Sequence, residues 1–125
     1  MSLHNYLRQF RQELEKIEDY GYSESLEIKE EIRANKLAVI SAHIVLIDGS
    51  SLHIKEYIDA GYKIERISYA YHYQDFDGEC IFRYDNANHR PALGYKKHKH
   101  TKDGNIIEAS LPPIEEIIKE VIKCM

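Results

Sequence analysis

Between Leu3 and Asp19, apolar residues recur at steps of three and four (Leu3, Leu7, Phe10, Leu14, Ile17), while Arg8, Arg11, Glu13, Glu15 and Lys16 take the opposite side. That is the period of an amphipathic helix, and Gly21 ends it. From Leu26 to Ile32 the apolar residues thin out and alternate with Glu and Lys, which predicts an exposed strand turning at Ala34-Asn35. The alternation then continues through four more segments. KLAVISAHIVLID ends at the hairpin signal Asp48-Gly49. SSLHIKEYID runs to Asp59-Ala60-Gly61, YKIERISYAYHYQ runs to Asp75-Phe76-Asp77-Gly78, and ECIFRYD returns. In the third segment Glu65, Ile67, Tyr69, Tyr71 and Tyr73 share one face, with Arg66, Ser68, Ala70 and His72 on the other. After a polar loop, a short strand is expected near Ile106 to Ala109. A helix opened by Pro112-Pro113 follows, with Ile114, Ile117, Ile118, Val121 and Ile122 as its apolar stripe.

This pattern predicts an α+β fold in a single domain spanning 1–125. An antiparallel meander sheet of four to six strands packs on N-terminal and C-terminal helices, one face covered and the other open. The content of 43% hydrophobic residues suffices for one core. The net charge of −4 argues against polyanion binding by bulk electrostatics, so any nucleic-acid contact needs a local basic patch. Such a patch exists: residues 83–102 hold two Arg, four Lys and three His against one Asp. Cys80 and Cys124 cannot make a disulfide framework. With no long apolar run and no signal peptide, a cytoplasmic setting without a membrane is the expectation.

The chemistry concentrates in FRYDNANHRPALGYKKHKHTKDG, residues 82–104. Arg83 and Asp85 stand two apart on a strand and point the same way, so the carboxylate can orient the guanidinium. An even loop at 75–78 sets both beside Ala70 and His72; an odd loop sets Arg83 among Tyr69, Tyr71 and Tyr73. His98 and His100, as H-x-H in an extended segment, face one side. Histidine exchanges a proton near neutral pH, as general acid–base catalysis requires, and an arginine can stabilise a phosphorane. Arg83, Asp85, His98 and His100 are therefore the catalytic candidates for metal-independent RNA cleavage. Lys97, Lys99, Tyr71 and His72 are candidates for contacting the nucleic acid, and Asn86 and His89 are further site candidates.

Three plainer alternatives stand beside this. Arg83–Asp85 can be a surface ion pair, and the basic run a solvated loop. His89, His98, His100 and Asp85 can form a metal site, although the neighbouring lysines repel a dication; no metal or cofactor is expected. His43 and His53, inside predicted strands, read as structural histidines.

DGSSLHIKEYID, then ISYAYHYQDFDGECIFRYDNANH, then KKHKH resemble, in order and spacing, the TumE-type toxins of prokaryotic toxin–antitoxin pairs. The resemblance runs from about Asp48 to His100. Where the family's usual run has Pro-His-His, this chain has Tyr95-Lys96-Lys97. The resemblance implies a small α+β toxin encoded beside a helix-turn-helix antitoxin. With the residue chemistry it gives an expected endoribonuclease whose partners are an RNA substrate and that antitoxin, with a homodimer admissible. The alternatives are a non-catalytic nucleic-acid or protein-binding module and a metal-dependent nuclease.

Overall fold

The computed structural model describes residues 1–87 and 94–125. Helix α1 (Leu3–Asp19) begins where the Ser2 side chain accepts the Asn5 amide at 3.1 Å. It ends in a Schellman arrangement: Tyr22 N–H donates to Ile17 O and Gly21 N–H to Glu18 O, with Gly21 at φ 78°. Among the described residues seven strands follow in one antiparallel sheet whose spatial order is the chain order: β1 (Ser23–Arg33), β2 (Leu37–Leu46), β3 (Ser51–Asp59), β4 (Glu65–Gln74), β5 (Cys80–Asp85), β6 (His98–Thr101) and β7 (Ile106–Glu108). Helix α2 (Ile114–Cys124) closes the chain.

The helices and the sheet meander match the expected α+β class, but the four to six strands become seven. The strand that the sequence hides is β6. Its residues HKHT carry no aliphatic side chain and read as part of a polar loop, yet β5 and β7 hydrogen-bond it on both sides. Strand formation here is imposed by neighbours rather than by local hydrophobic alternation.

The core lies between one sheet face and the helices. Leu7, Phe10, Leu14 and Ile17 of α1, with Ile117, Ile118 and Val121 of α2, pack on Ile40, Ile44, Leu52, Ile54, Tyr71, Tyr73, Phe82 and Tyr84. β4 carries a bulge at Ile67, since Tyr57 pairs with Ser68 but Ile58 with Arg66, so the expected alternation fails at the start of β4. Ile67 is consequently 55% exposed and does not join Tyr69, Tyr71 and Tyr73 beneath the helices. Among the described residues no helix is long and apolar enough to cross a membrane.

One carboxylate is buried on the helix side. Glu56 has no exposed surface; it accepts the hydroxyls of Tyr6 from α1 and Tyr71 from β4, with Arg66 3.8 Å away. Burial, then the Glu56 charge and hydrogen bond, push both phenols well above their ordinary values, so they remain donors. Glu56→Ala leaves two hydroxyls without their acceptor. It is expected to lower stability by about 1–3 kcal/mol, read as a lower urea midpoint. A midpoint equal to wild type would show that the network contributes nothing.

Candidate active site

The open face of the sheet carries most of the candidate side chains because its register aligns them. At the 75–78 turn Asp75 Oδ1 accepts the amides of Asp77 and Glu79, and Gly78 takes φ 85°. This loop realises the even register: His72 pairs with Arg83 and Ala70 with Asp85. On the other side of β5, Arg83 pairs with His100 and Asp85 with His98. Four candidates from β5 and β6 are thus brought together with His72 from β4.

Asp85 is the hub. Only 3% exposed, it receives Arg83 Nε at 2.8 Å on Oδ2, His98 Nε2 at 2.6 Å on Oδ1, and the Ala87 amide at 3.1 Å. His100 Nε2 faces Oδ2 at 3.5 Å. Burial opposes the charge, but the Arg83 hydrogen bond, the Ala87 amide and the charges of His98 and Arg83 outweigh it, so the carboxyl lies below its ordinary value.

His98 is wholly buried, and its Nδ1 meets the Lys96 carbonyl at 2.8 Å. With a carbonyl at Nδ1 and a carboxylate at Nε2, both ring nitrogens face hydrogen-bond acceptors. The His98 ring lies edge-on to His100, with centroids 5.1 Å apart. Solvent reaches Arg83 (39% of its side chain) and His100 (27%), but not His98. The cluster is therefore layered, with a buried Asp85–His98 pair supporting a more exposed Arg83–His100 pair.

His72, half-buried, flanks Arg83 from the other side. Burial, then the charges of Arg83, His53 and His100, hold its pKa below the ordinary histidine value. Asp85, His98 and His100 also offer ligand atoms that all lie within 4.8 Å of one another, a spacing that can hold a metal ion. The Arg83 guanidinium on the same carboxylate opposes a dication there.

Other expected contacts fall elsewhere. Tyr71 is 2% exposed on the helix-covered face, with no ring surface to offer a base. Lys99 alternates away from its flanking histidines. Its Nζ pairs with Glu120 of α2 at 2.6 Å and lies over the rings of Tyr84 and Phe82, so it does not join the histidines on the open face. Lys97 is exposed but lines a separate cavity of about 430 Å³ with Lys63, Arg66 and Asn86. Asn86 staples β4, accepting the Tyr69 amide and donating to the Ile67 carbonyl. His89 lies outside the described residues.

His43 and His53 also stand on the open face. In register across the strands, Glu27, His43, His53, His72, Arg83 and His100 form one row. All but His100 line a groove of about 620 Å³ with Lys29, Lys55 and Gln74. The signal was present as odd-numbered His43 and His53 opposite even-numbered Ala42, Ile44, Leu52 and Ile54, had the hairpin register been carried across every turn.

The family model for Toxin TumE matches residues 9–125, nearly the whole chain. The chain belongs to the TumE toxin family. The match extends well beyond the Asp48–His100 stretch that carries the resemblance, taking in most of α1 and all of α2, and it gives the chain the role of a toxin. No curated protein and no solved structure gives a significant match.

Proposed function

We propose that this TumE toxin is a metal-independent endoribonuclease, held in check by a helix-turn-helix antitoxin in the cytoplasm. The observation carrying the reading is the placement of Arg83, oriented by a buried carboxylate, between two imidazoles on neighbouring strands. That combination suits transfer of a phosphodiester to the adjacent 2′-hydroxyl. His72, kept neutral by its surroundings, takes the 2′-hydroxyl proton as the 2′-oxygen attacks phosphorus. Arg83 stabilises the charge that develops on the phosphoryl oxygens. His100, with the Asp85 carboxylate behind it, donates a proton to the departing 5′-oxygen. The products are a 2′,3′-cyclic phosphate and a free 5′-hydroxyl. Asp85 and His98 act beneath as positioning residues.

A metal-dependent nuclease is the competing reading, because Asp85, His98 and His100 have ligand spacing. RNA incubated with the protein in excess EDTA separates the two. Cleavage at an undiminished rate, a cyclic phosphate end, and no cut where the scissile nucleotide lacks its 2′-hydroxyl are the expected results. Activity that is lost in EDTA and restored by a single divalent cation would transfer the site to the metal mechanism. RNA binding without turnover under either condition would leave a binding module.

A further inference from the structure

The open-face groove extends past the Arg83 cluster to β2, and its far end has a distinct chemistry. The rings of His43 and His53 stack with centroids 4.2 Å apart and planes 21° from parallel. His53 is steadied from below by Ser51, whose hydroxyl lies 3.4 Å from Nε2, while His43 stands exposed to solvent. The His53 and His72 rings are 6.4 Å apart, so the pair continues directly into the cluster. Lys29, Lys55 and Arg83 line the groove against one carboxylate, Glu27, and its floor is otherwise imidazole, amide, hydroxyl and a few small aliphatic groups. From His43 on β2 to His100 on β6 is four strand spacings, roughly 19 Å.

We propose that His43 and His53 form a base-stacking subsite that receives a nucleotide of single-stranded RNA lying across the strands, a few nucleotides from the phosphate held at Arg83. This inference rests on the ribonuclease reading for the placement of the cleaved phosphate. Stacked imidazoles present a flat π-face, which single-stranded RNA uses for unpaired bases. The excess of cations in the groove suits the accompanying backbone, whereas a duplex has its bases already stacked and paired. Burial, together with the His43 charge, lowers the His53 pKa, which favours a neutral ring in the stack at physiological pH.

The test measures binding separately from cleavage. Fluorescence anisotropy would follow a 2′-O-methyl decamer, which has no 2′-hydroxyl to attack, and a 2′-O-methyl dinucleotide too short to reach from Arg83 to His43. For His43→Ala and His53→Ala, folded by circular dichroism, decamer affinity is expected to fall roughly 5- to 100-fold. Dinucleotide affinity should stay within about twofold, and His43→Phe should restore the decamer. Decamer affinity within about twofold of wild type in both alanine variants overturns the subsite, as does a wild-type protein that does not bind the decamer. Failure of the phenylalanine to rescue also overturns stacking, since it would mean that charge or hydrogen bonding makes the contact. Cleavage of unmodified RNA by wild type tells the two readings apart. Cleavage with unaffected binding in the variants removes only the subsite. Decamer binding without cleavage removes the ribonuclease reading, and the variants still decide the stacking.

Discussion

Replacing Asp85 with alanine is expected to destabilise the protein by about 3–5 kcal/mol, the range for breaking a buried charged pair by deleting one partner. The size follows from what is stranded: a wholly buried His98 that loses its Nε2 partner, and an Arg83 that loses the acceptor fixing its Nε. The Ala87 amide also loses its acceptor. With a urea slope on the order of 1–3 kcal/mol per M, the unfolding midpoint should fall by about 1–5 M. A loss below about 1 kcal/mol would mean the cluster is no more than a surface ion pair. The pH dependence has a definite sign. Because the Asp85 carboxyl is lowered in the folded state, its contribution is fully present above the ordinary aspartate value, near about pH 4. It fades as the pH falls further, through the lowered value. The stability difference between wild type and Asp85→Ala should shrink over that acidic range.

Turnover should depend on the two accessible imidazoles. His72→Ala and His100→Ala are each expected to slow RNA cleavage by roughly 10²- to 10⁴-fold, the usual contribution of a general acid or base. RNA affinity should change by no more than about threefold, because phosphate attraction comes mainly from the cations. The lowered pKa of His72 places the acid limb of the rate profile below about pH 6.5, since a base fails only once it is protonated. His72→Ala should abolish that limb. Lys99→Ala should leave cleavage unchanged while reducing stability, since its ammonium faces α2. If the His72 variant cleaves as fast as wild type, the base lies elsewhere and the two-imidazole scheme fails.

Where side chains dictate the backbone locally, the sequence predicts the structure closely. The α1 limits and the Gly21 stop follow from helical periodicity, and the long strands β2 to β5 from alternation and D-G turns. The site was traceable through Arg83 and Asp85, because a two-residue spacing on a strand fixes a common face. Burial was not: His98 and Asp85 have the composition of surface residues, and only the approach of β5, β6 and the Lys96 carbonyl removes them from water. Lys99 belongs by composition to the basic run, but the alternation that unites His98 with His100 sends it to α2. The alignment of His43 and His53 with His72 and Arg83 depends on register accumulated over several hairpins, where one bulge or loop residue changes every later assignment.

The sheet in which each strand pairs with its sequence neighbour has a consequence for the order of events on the ribosome. Every pairing joins strands adjacent in the chain, and apart from β5 and β6, which residues 86–97 separate, the strands are joined through three to five residues, a topology of short loop closures that folds quickly. Synthesis at about 5–20 residues per second lets β1 to β4 assemble while the rest of the chain is still being made. Arg83 then emerges, but His100 comes seventeen positions later, and β6 gains its second neighbour only when β7 follows. Most of the scaffold is thus in place before the cluster on β5 and β6 is complete. A chain interrupted early in translation carries His43, His53 and His72 without the Arg83–His100 pair, and on the proposed mechanism it lacks both the phosphate-binding arginine and the acid.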